Sequence, residues 1–336
     1  MAIRKITQEY ATHGIPLECD IYTTDNAPGN SPVFLYFHPG GLVGGNRDLI
    51  APWLVQICIQ RKWPLISPSY RLLPQARGQG LLEDASAAYD FAQNWNTQQA
   101  GPRRKVIVGG ASGADLIQWR MTKGFFMAAL IAHHCHPKPL ALLSIEGINT
   151  FRHRFFNSSI LIPDEEISHA SVEKYIAGPV EVGDMKPDES TFVLDKLTPE
   201  GAKNPDFTPP KVPENASPDE SNRGLLYDYY TFNNSFVDLV GDVDPGYQWA
   251  KQPDAKDRVA QWPKTVIFHG NNDPDVELNV SEDMRDCLGE DKVTLIVADG
   301  QPHLFELEKF IEDDIPGMDA VRQAVAKLDE VVASST

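Results

Sequence analysis

Two rhythms of apolar residues run along this chain. Near its start, "ITQEYAT" and "IPLECDIYTT" alternate polar with apolar residues and meet at His13-Gly14. A period of two broken by a glycine turn predicts an antiparallel hairpin at a sheet edge. Beyond it, short and nearly continuous apolar runs recur: "PVFLYFH", "WPLISPSY", "KVIVGG", "LALLSIEG", "TVIFHG" and "VTLIVAD". Such runs suit strands buried on both faces, as in a parallel sheet. Between them, "DLIAPWLVQICIQRK", "LLEDASAAYDFAQNW" and "DLIQWRMTKGFFMAALIAHH" carry apolar residues at helical spacing. "PGMDAVRQAVAKLDEVVAS" then reads as an amphipathic helix starting at Pro316-Gly317. Strand–helix alternation after an antiparallel start predicts an α/β fold: a mostly parallel central sheet, an antiparallel N-terminal hairpin, and helices on both faces.

From about Ile148 to Pro263 the rhythm stops. "RHRFFNSSILIPDEEISHASVEKYIAG" looks partly helical. "DMKPDESTFVLDKLTPEGAKNPDFTPPKVPENASPDESN" is rich in Pro, Asp, Glu, Asn and Lys, which predicts an irregular surface excursion. "RGLLYDYYTFNNSFVDLVGD" turns aromatic again, either as the excursion's own core or as a wall for a ligand. We therefore expect a core of residues 1–147 and 264–336, and an inserted cap, 148–263, folded over the sheet edge. A length of 336 residues suits one α/β domain with such an insertion.

Composition narrows the partners. The formal net charge is -17, which repels phosphate backbones and anionic lipid and argues against nucleic acid and membrane. The opening "MAIRKITQEY" has no apolar core of signal-peptide length and no 18-residue apolar run appears, so a cytoplasmic protein is expected. Cys19, Cys58, Cys135 and Cys287 are far apart with no CxxC spacing, which fits reduced thiols.

Candidate chemistry gathers at strand ends, which a parallel sheet collects on one side. In "KVIVGGASGAD", Ser112 follows an apolar run and is flanked by small residues. That suits a sharp strand-to-helix elbow, or an ordinary serine in a Gly-rich loop. "FHPGGLVGG" offers the backbone N–H groups of Gly40 and Gly41, while Pro39 has none to give; it could also be a plain turn. "VIFHGNNDPDVEL" supplies Asp273, with Asp275 and Glu277 as rivals that spacing disfavours; its other reading is turn chemistry. "VADGQPHLFEL" puts His303 on a loop, free to enter a cleft or to sit at the surface. The order Ser112, Asp273, His303 fits nucleophilic catalysis. A serine hydroxyl needs a base, histidine titrates near neutrality, and an aspartate fixes its tautomer. "HHCHPKP" has ligand residue types, but adjacent positions at a helix end cannot converge on one ion, so no metal and no cofactor is expected. Arg71 reads as a loop anchor.

These motifs together resemble the α/β-hydrolase superfamily and, within it, the hormone-sensitive-lipase-like esterases. "HPGGLVGG" is similar to their HGGG-type motif, "SPSYRLLPQ" to their Y-R-L-A-P-E stretch with Asp84 in the next helix, and "GASGA" to their nucleophile elbow. "HGNND" is similar to their acid turn and "DGQPH" to their histidine loop. The flavour is that of fungal members, many of which act in secondary metabolism. The resemblance implies Ser112 as nucleophile, Asp273 as acid and His303 as base, with Gly40, Gly41 and Gly113 supplying oxyanion N–H groups. It implies a serine hydrolase of a carboxylic ester or lactone of a small to medium apolar molecule, through an acyl-enzyme. A thioesterase, acyltransferase or lactone-forming enzyme would use the same residues, and a non-catalytic small-molecule receptor would keep the fold. A monomer or homodimer is expected. The sequence departs from the family at Pro39, Gly113 and Ala114. The N-terminal helical cap of many relatives is not expected here, because the first strand begins almost at once, and the cap is expected to come from the insertion.

Overall fold

Eight strands form one sheet in the order β1-β2-β4-β3-β5-β6-β7-β8. The computed structural model describes residues 2–25, 27–97, 102–111, 124–183, 193–208 and 223–335. Strands β1 (Ile3–Thr12) and β2 (Pro16–Thr24) are the antiparallel hairpin that the alternating residues predict, with an irregularity in register between Glu9 and Ala11. β2 also runs antiparallel to β4 (Leu65–Pro68). From there the sheet is parallel through β3 (Val33–Phe37), β5 (Val106–Ala111), β6 (Ala141–Ile145), β7 (Thr265–Gly270) and β8 (Val293–Ala298). Each apolar run in the sequence is one of these strands.

Strand β3 shows why the runs are unbroken. Val33, Leu35 and Phe37 belong to the apolar cluster on one sheet face, and Phe34 and Tyr36 to the cluster on the other. Side chains alternate across a strand, so a strand covered on both faces needs apolar residues at every position. Helices α2 (Arg77–Asn94), α3 (Phe125–His134) and α8 (Leu278–Leu288) fill the first cluster. Helices α1 (Pro52–Gln60) and α9 (Met318–Ser335) fill the second. β8 departs from the expectation of two buried faces. It is the last strand, its middle residues are only partly covered, and Val297 is 43% exposed.

Residues 148–263 contribute α4 (His169–Ile176), α5 (Leu225–Phe232), α6 (Phe236–Val240) and α7 (Lys256–Gln261). Among the described residues the one strand-like pairing there is the bridge Leu197–Lys203. Helices α5 to α8 go beyond the elements read from the sequence. The aromatic run is a core element: Phe236 stacks on Phe151 with ring centroids 4.4 Å apart, and Phe155, Phe156, Tyr227 and Tyr230 are buried with them. This group joins the same cluster as α2 and α3.

All four cysteines are free thiols. Among the described residues no helix is long and apolar enough to cross a membrane.

Candidate active site

The C-terminal ends of β3, β5, β6, β7 and β8 lie side by side. The turn after β3 begins at His38. Its ring is buried and stacks on Tyr70 at 4.3 Å, and Nδ1 donates to the Pro39 carbonyl at 2.7 Å. Burial pushes the His38 imidazole down to about 4, so it is neutral near pH 7 and Nδ1 carries its hydrogen. Gly40 has φ +138°, and a Cβ built there would stand 1.9 Å from the Gly44 carbonyl oxygen. Only glycine fits. Among the described residues no hydrogen bond uses the N–H of Gly40 or Gly41. The stretch after β4 braces this turn: the Tyr70 hydroxyl donates to the His38 carbonyl, and Leu73 N–H donates to the Leu42 carbonyl.

β5 ends at Ala111, and Ser112 and Gly113 lie outside the described residues. The first described residue after them is Gly124, whose N–H donates to the Ala111 carbonyl at 2.6 Å. A Cβ on Gly124 would come within 2.1 Å of the Phe37 carbonyl oxygen. The absence of a side chain there lets the start of α3 press against the ends of β3 and β5.

Asp273 and His303 come together from the turns after β7 and β8. His303 Nδ1 is 2.5 Å from Asp273 Oδ2, and both residues are buried. Neither Asp275 nor Glu277 makes this contact. Asp273 Oδ1 accepts from the N–H groups of Asp275 and Val276, at 2.9 Å each. Its Oδ2 also faces Nε2 of His269 at 3.1 Å. That nitrogen lies 2.9 Å from the Val276 carbonyl, which can only accept, so it carries a hydrogen. The Asp273 carboxyl therefore meets four donors. Burial alone would raise its pKa; the charge of His303 and hydrogen bonds from His269 and His303 reverse this and hold it well below the usual carboxylate range. With Nδ1 committed to an ionised Asp273, His303 has Nε2 as the nitrogen to take a proton.

Two buried carboxyls beside this pair escaped the sequence reading. Glu146 stands just past β6, with Oε2 3.8 Å from His303 Nδ1. It accepts hydrogen bonds from the backbone N–H groups of Gly270 and Leu304. Burial, then the charges of Glu306 and Asp273, push its pKa well up. Glu306 is fully buried, and burial pushes it from 4.5 up to about 7. The one hint in the sequence was a glutamate closing the buried run "LALLSIEG". Oxygen and nitrogen atoms of Glu146, Asp273 and His303 lie within 4.8 Å of one another, close enough to surround a cation. Their hydrogen bonds instead pair Asp273 with His303 and occupy Glu146 with backbone N–H groups.

Other singled-out residues are structural. Arg71 binds Asp84, Glu83 and the Gly80 carbonyl, and His13 from the hairpin turn shares Asp84. His133 packs among Tyr247, Trp249 and Trp262, and His134 bonds the Val243 carbonyl.

A family model described as alpha/beta hydrolase fold matches residues 34–125. The chain has the α/β-hydrolase fold. It is 34% identical over 110 residues to versiconal hemiacetal acetate esterase of Aspergillus parasiticus, covering 33% of this chain and 33% of that protein. It is 36% identical over 106 residues to probable carboxylesterase M8 of a Phoma species, covering 27% of this chain and 32% of that protein. The chain thus spans about a third of the length of these curated relatives. A crystal structure of an alpha/beta hydrolase superfamily protein from Enterococcus faecalis superposes with TM-score 0.63 at 14% identity, over 98% of this chain and 99% of that one. The fold expected from the motifs is met. The matched stretch holds Gly40, Gly41 and Ser112, while Asp273 and His303 lie beyond it.

Proposed function

We propose that this domain is a serine hydrolase of carboxylic esters, lactones among them, acting through an acyl-enzyme on Ser112. The buried contact between His303 Nδ1 and Asp273 Oδ2, at the same end of the parallel strands as the Gly40-Gly41 turn, carries this reading. In the proposed cycle His303 Nε2 takes the Ser112 proton as the hydroxyl oxygen attacks the substrate carbonyl carbon. Asp273 stabilises the imidazolium that forms. The N–H groups of Gly40, Gly41 and Gly113 bind the oxyanion, and each such donor is worth about 3 kcal/mol in the transition state. The tetrahedral intermediate collapses, His303 hands its proton to the departing alkoxide, and the alcohol leaves. Water, deprotonated by His303, then attacks the acyl carbon, and the carboxylic acid departs as Ser112 regains its proton. A relative named as an acetate esterase supports a short acyl group.

We assign residues 148–263 to a cap over this site, in keeping with two points of attachment. Gln75 donates to the carbonyls of Tyr175, Ile176 and Gly178 and accepts from Arg223. Lys196 and Lys203 form ion pairs with Glu308 and Asp313, just beyond the histidine loop.

Intact mass after treatment with a fluorophosphonate probe tests the mechanism without knowledge of the substrate. The wild type should gain one adduct and Ser112→Ala none. On a responsive ester the same change should cost on the order of 10⁶ in kcat. Full activity in Ser112→Ala would end the proposal.

A further inference from the structure

The residues around His303 include two held in costly backbone conformations. Glu146 has φ +50° and Leu304 has φ +48°. Left-handed angles at residues other than glycine cost about 1–3 kcal/mol each, and persist only where the surroundings impose them. Here one hydrogen bond joins the two, from Leu304 N–H to Glu146 Oε2. The other carboxyl oxygen takes Gly270 N–H at 3.2 Å. One buried side chain thus ties the residue after His303 to the end of β7, from which the Asp273 turn departs. The same Oε2 lies 3.8 Å from His303 Nδ1, too far for a hydrogen bond but well inside the range of strong electrostatic coupling. The mechanism proposed above gives Glu146 no part.

We propose that Glu146 is a positioning residue for His303, holding the histidine loop against the acid turn and serving as the carboxylate that supports the Nδ1 hydrogen when Asp273 is neutralised. This rests on the serine-hydrolase reading. Its logic is that of two carboxyls sharing one site: like charges this close keep one of them protonated. Asp273, with four donors, takes the negative charge, and Glu146 keeps its proton. The ionisable groups facing Glu146 are Asp273, Glu306 and His303. Replacing Asp273 by asparagine removes one of the two opposing charges. Glu146 then ionises more readily, with the Leu304 and Gly270 N–H groups already in place to stabilise its anion.

The test compares Asp273→Asn with Asp273→Asn/Glu146→Gln on a chromogenic short-chain aryl ester, from about pH 5 to about pH 10. Taking the ratio of their kcat values removes every pH effect the two variants share. It should start near one in acid and climb to about tenfold or more as Glu146 deprotonates. A ratio that stays constant with pH would reduce Glu146 to a structural part and overturn the proposal. Should the double variant fail to fold, proton NMR of Asp273→Asn decides. A downfield Nδ1–H resonance of His303 that strengthens as pH rises supports the assignment, and one that never appears overturns it. Fluorophosphonate labelling of the wild type runs beside these assays. If Ser112 is not labelled, the hydrolase reading itself has failed; if it is labelled and the ratio is flat, the assignment of Glu146 alone has.

Discussion

Glu306→Gln should stabilise this protein, and the gain should grow with pH. The Glu306 carboxyl is fully buried, and among the described residues no other side chain or backbone group donates to either oxygen. Burial raises its pKa; its own backbone N–H and the His303 charge recover part of that, leaving it at about 7 against an ordinary 4.5. The native state therefore holds a proton that the unfolded chain has released. Such a group adds nothing below the unfolded value and becomes unfavourable as pH climbs from there to the folded value. At about 1.4 kcal/mol per pH unit, the whole swing is about 3 kcal/mol. Glutamine keeps the shape and cannot ionise. It also removes the charge that helps hold Glu146 up, which acts in the same direction. Urea unfolding of both proteins at about pH 5 and about pH 8.5 measures the effect. The variant's advantage should be about 2–3 kcal/mol larger at the higher pH. Equal differences at the two pH values, or a variant that loses ground in alkali, would refute the reasoning.

Other perturbations test other parts of the structure. Gln75→Glu places a carboxylate against the carbonyls of Tyr175, Ile176 and Gly178. It should cost about 1–3 kcal/mol in urea unfolding near pH 8, and less near pH 4, where a protonated carboxyl can donate again. Gly40→Ala forces a Cβ to within 1.9 Å of the Gly44 carbonyl oxygen at φ +138°. The turn must move, and the rate of fluorophosphonate labelling should fall by about 10² or more.

The sheet was legible because its strands are covered on both faces, which makes every residue of β3 and β5, and all of β6 but Ser144, apolar and sets them apart from the amphipathic helices. β8 read the same way although it is an edge strand, since a run such as "VTLIVAD" says nothing about what lies beside it. The meeting of Asp273 with His303 was legible through chain order, because successive parallel strands end on the same side. Glu146 and Glu306 were not. A single glutamate beside a strand or in a loop ordinarily faces water, and only the fold shows that backbone N–H groups from distant turns await the first while the second is enclosed with hardly any donor. The aromatic run from Tyr227 to Phe236 read as cap core at least as readily as ligand wall, and contacts with Phe151 and Phe156 make it core.

The bonds made by Glu146 also bear on the order in which the protein can be finished. Its two backbone partners come 124 and 158 residues later in the chain. While the ribosome is still making the intervening segment, β6 is the exposed margin of an unfinished parallel sheet, the kind of edge that recruits other chains. A glutamate at the end of that margin is ionised and hydrated at this stage, and joining it to a stray strand would strip its water with nothing in return. A charge at a strand end is the ordinary gatekeeper device against such pairing. Only when β7 and the loop after β8 arrive with their N–H groups does burying it become favourable, so the charge that guards the growing sheet is discharged by the segments that complete it.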